Sequence, residues 1–277
     1  MLAIIKNTFR EALAKKIFIG YYLFYVIVIL VTIFLVNVDT IEGVIDMVDK
    51  KTIIQQFETG FIAISWSLII FFSIISTASF IPSMLEKGTI DLILSKPISR
   101  TKILISKFLG AVIFVFISIV FLLGSIWLIV SLKSGYWDVR FLAAVLTITL
   151  TYSVMYSIVI LFGLITNSSI ISILVNFFLI FVLCPILSVR ELVIFPILSD
   201  STVQFIINFF YYILPKPGEI KDITNAIITG DAINIWKTSL DTEAQSLAPS
   251  WMSMFSSVLF GAVMLAGSLY YFSKKDY

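Results

Sequence analysis

The chain has 277 residues, of which 60% are hydrophobic and 13% charged, with a formal net charge of +2. Soluble domains carry roughly 45–50% apolar and about 25% charged residues, so no aqueous fold could bury this much apolar surface. The composition therefore implies an integral membrane protein. Its basic residues sit at the edges of apolar runs instead of gathering on one soluble face, so nothing points to nucleic acid.

Residues 1–16 place Leu2, Ile5, Phe9 and Leu13 at helical spacing, with Lys6, Arg10, Lys15 and Lys16 mostly elsewhere around the helix. This pattern predicts an interfacial helix on the inner membrane surface. Six charge-free runs follow, at 17–36, 61–81, 108–132, 141–165, 170–189 and 251–272. Each is about as long as the roughly 20 residues that an α-helix needs to cross the hydrocarbon core. They are continuously apolar, not alternating over about ten residues as barrel strands are, so the predicted fold is a single all-α, six-span membrane domain covering 1–277. The first run is longer than a secretory h-region and offers no small-residue cleavage site, and it reads as a retained span.

Orientation follows from Lys and Arg. With a cytoplasmic N-terminus, eleven of the nineteen basic residues fall on the inner side: Lys6, Arg10, Lys15, Lys16, Lys87, Lys96, Arg100, Lys102, Lys107, Lys274 and Lys275. The positive-inside rule then places both termini in the cytoplasm, and the expected location is the cell membrane. The acidic loop at 37–60, with Asp39, Glu42, Asp46 and Asp49, lacks the ligand spacing and Gly turn of a calcium loop and reads as solvated. The extracytoplasmic segment 190–250 is too long for a simple connection. Within it, Val203–Leu214 reads as a re-entrant or interfacial segment stopped by Pro215-Lys216-Pro217-Gly218, and Glu219–Pro249 as a polar outer cap.

Several chemistries are excluded. There is no His, and the single cysteine, Cys184, lies inside the fifth run, so zinc sites, disulfides and His-based triads are ruled out. No Gly-rich phosphate loop occurs, so the chain is not expected to be an enzyme, nor to bind a cofactor or metal. The spans hold no ionisable group that would drive an ion-coupled carrier. Neutral polar residues remain. Thr149, Ser153, Tyr156 and Ser157 share helical spacing in the fourth run and Asn176 lies in the fifth, suited to helix packing or to a substrate path. Ser253, Ser257 and Gly261 form a small-xxx-small row in the sixth.

The segment 82–107 is the most informative. Ser83-Met84-Leu85-Glu86 fits a capping box, Gly88 is placed to end the helix that box would start, and Thr89 can cap a second turn carrying Ile90, Leu92, Ile93 and Leu94. Pro97 separates that turn from the third span, which Ser99 can cap. A short helix seated in a partner's groove, with Glu86, Arg100 and Lys102 on the rim, and a plain connecting loop fit the pattern equally well.

The stretch resembles the signature of ATP-binding-cassette (ABC) permeases of the type-2 exporter class, roughly Glu-x-Gly-Thr-x-x-x-Leu-Leu-x-x-Pro-x-x-Arg-x-x-x-x-x-x-Lys. Glu86, Gly88, Thr89, Leu94, Pro97, Arg100 and Lys107 fit, and Ile93 replaces the first Leu. The order of surface helix, six spans, minimal fourth-to-fifth loop and long outer segment is similar too. The resemblance implies that Glu86, Gly88, Thr89, Leu92, Leu94, Pro97, Arg100 and Lys107 belong to a coupling helix on a separate ATPase subunit, which holds ATP and Mg. It implies two ATPase subunits and a second permease copy or a related permease, set in membrane lipid. It also implies either export of a substrate or work on an extracytoplasmic partner protein. A stand-alone ion-coupled carrier or channel, and a non-transporting scaffold or sensor, are the alternatives.

Overall fold

The computed structural model describes residues 2–14, 16–35, 50–90, 95, 98–197, 200–231 and 251–275. The described residues form an all-helical bundle, as the composition requires. Helix α1 spans Leu2–Ala14, α2 Lys16–Leu35 and α3 Lys50–Thr77, the last continuing through 3-10 turns at Ala78–Phe80 and Pro82–Leu85. Helix α4 runs Arg100–Ser134, α5 Ala143–Thr166 after a 3-10 turn at Val139–Leu142, and α6 Ser169–Phe178. A π turn at Leu179–Leu183 joins α6 to α7, Cys184–Ser188, and a second π turn follows at Arg190–Ile194. The chain then forms α8, Ser201–Ile213, α9, Pro217–Thr229, and α10, Trp251–Lys274.

Among the described residues, five helical stretches are long and apolar enough to cross a membrane: Lys50–Leu85, Arg100–Ser134, Val139–Thr166, Ser169–Ser188 and Trp251–Lys274. A shorter apolar helix, Ile19–Phe34, joins them. The Ser169–Ser188 stretch is interrupted where Pro185 lacks the N–H that would bond four residues back, and the backbone widens into the π turn just ahead of it.

Two expectations are corrected. The acidic loop does not extend to residue 60, because α3 already begins at Lys50, where Ile54, Glu58 and Ile62 recur at four-residue spacing and are buried. The segment after Pro217 is no polar cap as far as Thr229: α9 packs on α3, α5 and α10, burying Ile220, Ile223, Thr224 and Ile228. Residues 232–250 lie outside the described residues. Helix α8 is instead exposed, with Phe205, Phe209 and Phe210 outward, and none of its residues is buried.

The core is aromatic and hydroxylated. Trp66, Tyr25, Tyr152, Tyr156 and Phe80 are among its largest fully buried side chains. Hydroxyls tie the spans across it: Tyr21 bonds to Tyr25 and to Ser73 of α3, Tyr22 to Ser118 of α4, and Thr77 to Tyr152 of α5. In a bilayer a buried hydroxyl must find a partner inside the protein, so these pairs fix which helix faces meet. The row Ser253, Ser257, Gly261 is buried within this subunit: Ser253 donates to Glu219, Ser257 accepts from Lys216 N–H, and a Cβ on Gly261 would stand 3.2 Å from Val154 Cα of α5.

Candidate functional site

The ends of these helices sort into two sets. At one end, Arg100 donates to the carbonyls of Phe272 and Lys275, and the Lys275 Nζ reaches the Leu164 carbonyl at 2.9 Å and Asn167 Oδ1 at 3.5 Å. That end therefore gathers the start of α4, the tight α5–α6 junction and the end of α10. Asn167 takes φ +52 there, and Ser168 caps α6 by accepting from Ile171 N–H. At the opposite end, Arg140 and Asp138 form an ion pair at 2.7 Å, and Gln55 of α3 donates to Asp138 and to the Ile228 carbonyl.

The turn at 86–90 belongs to the first set, through the flanks that hold it. Glu86, Lys87, Gly88 and Thr89 are exposed, while Ile90 is buried. Thr89 N–H donates to the Glu86 carbonyl at 3.0 Å, closing a four-residue turn whose third residue, Gly88, has φ +86. Type II turns put glycine at that position because side chains disfavour positive φ. Leu92, Ile93, Leu94 and Pro97 lie outside the described residues. Ser99 caps α4 as its sequence suggests, accepting from Lys102 N–H at 3.4 Å.

The capping box does not form. Helical turns already run through Pro82, so Ser83 lies inside the turn, and its hydroxyl donates to Glu11 of α1 at 2.6 Å instead. A charged acceptor makes the stronger bond. The other Glu11 oxygen accepts from Lys107 Nζ, also at 2.6 Å, and Lys107 is 3% exposed. Lys107 thus sits within the bundle and not on the exposed turn, unlike Glu86.

Helix α1 is correspondingly more than a surface float. Thr8 is fully buried against Gly110, whose added Cβ would meet it at 3.0 Å, and Phe9 packs edge-on to Phe114. The apolar stripe drew attention to Phe9, but the residues that fix the docking are the polar Thr8 and Glu11. Their spacing of three puts them on one helix face, a signal visible in the sequence only once a partner for each is known.

The polar residues of the fourth and fifth runs separate. Tyr156 is buried, stacked on Phe108 and Tyr152, with its hydroxyl 3.5 Å from the Thr77 carbonyl. Asn176 is buried with Nδ2 donating to the Ser172 carbonyl. Thr149 and Ser153 are half-buried and donate to carbonyls of their own helix at 2.6 and 2.7 Å. These four residues share no hydrogen bond among their side chains as described, so they do not form one polar site.

A second polar assembly, carried by no motif in the sequence, joins α8, α9 and α10 just after the Ser169–Ser188 stretch. The buried Arg190 guanidinium lies 3.3 Å over the Tyr211 ring and donates to Asn208 at 2.8 Å. Tyr211 and Ser253 both donate to Glu219, while Lys216 bonds Ser256 at 2.8 Å. Burial, reinforced by Arg190, pushes the Lys216 amine down to about 8, and burial raises the Glu219 carboxyl. A cavity of about 20 Å³ beside them, lined by Cys184, Tyr211, Lys216 and Glu219, holds room for about one water.

An all-helical bundle with several stretches able to span a membrane identifies the chain as a membrane protein. The family model described as ABC-2 family transporter protein matches residues 2–277. The chain belongs to the ABC-2 transporter family. It is accordingly a permease, the membrane subunit of an ABC transporter, and ABC-2 permeases normally work with ABC ATPase subunits. No individual curated protein matches the sequence closely.

Proposed function

We propose that this permease transmits ATP binding and hydrolysis in a separate ATPase subunit to movement of its spans, with the segment 82–107 seated on that subunit. The exposed turn Glu86–Thr89, closed on Gly88 and lying at the same end as α1 and the α10 terminus, carries the proposal. Eleven of the nineteen basic residues fall on the side of this turn in the order of the chain, so that end is assigned to the cytoplasm together with both termini, and 190–250 to the outer side.

The working assembly is two permeases, identical or related, with two ATPase subunits that bind ATP and Mg. Within it Glu86, Gly88 and Thr89 present the docking turn, and Arg100 holds the start of α4 to the α10 terminus. Lys107 braces the segment from within. The exposed apolar faces of α2 and α8 are left for lipid and for the second permease copy.

Co-expression with its ATPase subunit tests this. A photoactivatable cross-linker attached at Glu86→Cys should capture the ATPase subunit, and the purified permease alone should hydrolyse no ATP. Hydrolysis by the permease alone, or an absent cross-link in an assembled complex, would overturn the reading.

A further inference from the structure

Glu11 touches both flanks of the exposed turn. One carboxylate oxygen accepts from Ser83, just before the turn, and the other from Lys107, on the helix that leaves it, both at 2.6 Å. Lys107 is buried with its side chain 4% exposed, while Glu11 is 21% exposed. An uncompensated cation at such a site is strongly unfavourable, so the pair holds together or the site rearranges. The Lys107 Nζ also lies 6.0 Å over the ring of Phe80, in the 3-10 turn that precedes Ser83.

Packing reinforces the grip. Thr8, one helical turn before Glu11, is fully buried on Gly110 of α4, and Phe9 packs edge-on against Phe114 with ring centres 5.9 Å apart. A side chain at residue 110 could not fit without moving Thr8. α1 ends at Ala14 and α2, the first span, begins at Lys16.

From these contacts we infer that Glu11 is a positioning residue that binds α1 and both flanks of the 86–99 segment into one rigid body. Displacement of the turn by the ATPase subunit is then carried through α1 to the first span, as well as directly into α3 and α4. Lys107 and Ser83 act through Glu11 and do not touch the ATPase subunit. The inference rests on the coupling proposed above.

The test uses the complex of the full permease with its ATPase subunit in nanodiscs, reading two quantities: co-purification of the two subunits, and the change in ATP hydrolysis that the permease imposes on the ATPase subunit. Glu11→Gln and Lys107→Met should co-purify as the parent does but lose that change, and the exchange of charges in Glu11→Lys with Lys107→Glu should restore it. Ser83→Ala leaves the ion pair intact and frees only the turn, so it should assemble and couple less, which keeps the test decisive if a charge variant fails to accumulate. In a Cys184→Ala background, Glu11→Cys with Ser83→Cys should couple poorly until bridged by a short bifunctional thiol reagent, and then recover.

A bridged complex that stays inactive would show that α1 must slide over the turn, and would overturn the inference. Single variants that couple like the parent, or an exchange that restores nothing, would do the same. If the parent permease neither binds the ATPase subunit nor alters its rate, the coupling reading itself falls, and the inference with it.

Discussion

Gly88 offers the most direct measure of what the exposed turn does. Its φ is +86 and an added Cβ would meet nothing within 4 Å, so a substitution there acts on the backbone alone and not through a clash. Holding a non-glycine residue in such a conformation costs on the order of 1–3 kcal/mol, with β-branched residues at the upper end and Asn, which tolerates positive φ, at the lower. If the docked state requires this turn, the cost appears as lost affinity for the ATPase subunit, at about tenfold per 1.4 kcal/mol. Affinity measured by titrating the ATPase subunit onto nanodisc-held permease should therefore fall in the order Gly, Asn, Ala, Val, with Gly88→Val weaker by roughly tenfold to a hundredfold. Permease abundance should stay constant, because the turn is exposed and no span is altered. Equal affinity across the parent and the three variants would refute the requirement for the turn. Loss of abundance in step with affinity would show that the glycine serves folding instead.

Three further outcomes are expected. In a Cys184→Ala background, Asp46→Cys and Thr242→Cys should react with an impermeant thiol reagent in intact cells while Ser95→Cys stays protected; labelling at Ser95 would invert the orientation. Gly261→Leu should destabilise the fold by about 1–3 kcal/mol, read by thermal unfolding in detergent, since Val154 Cα already stands 3.2 Å from the position of a Cβ and backbone cannot yield as a side chain can. The Lys216 amine is pushed down to about 8 from 10.5, so below that value the folded protein holds a proton against the cost of burial. Between about 8 and 10.5 the unfolded chain binds more protons, so stability relative to Lys216→Met should rise with pH across that window, and a flat difference would show the amine to be solvated.

The sequence alone determined the solvent. Sixty per cent hydrophobic residues arranged in six uncharged runs admit helices in a bilayer and little else, because backbone groups in lipid must bond within their own segment. Local chemistry was equally legible where the partner is a near neighbour in sequence, as in the Ser99 cap, the Gly88 turn and the stop at Pro215–Gly218. It failed where a distant partner outbids the local one. Ser83 carries a capping-box pattern, yet a carboxylate 72 residues away takes its hydroxyl. Lys107 reads as one more inner-side cation, yet it is buried because Glu11 neutralises it. α9 looks polar and external by composition, yet Ile220, Ile223 and Ile228 recur at spacings of three and five that only become one face once α3 and α5 receive them. Hydropathy reports the preference of each residue for water or lipid, which is a property of the residue. Which helix supplies the charge, hydroxyl or small side chain that lets a polar group remain buried is a property of the pair, and only the tertiary structure decides it.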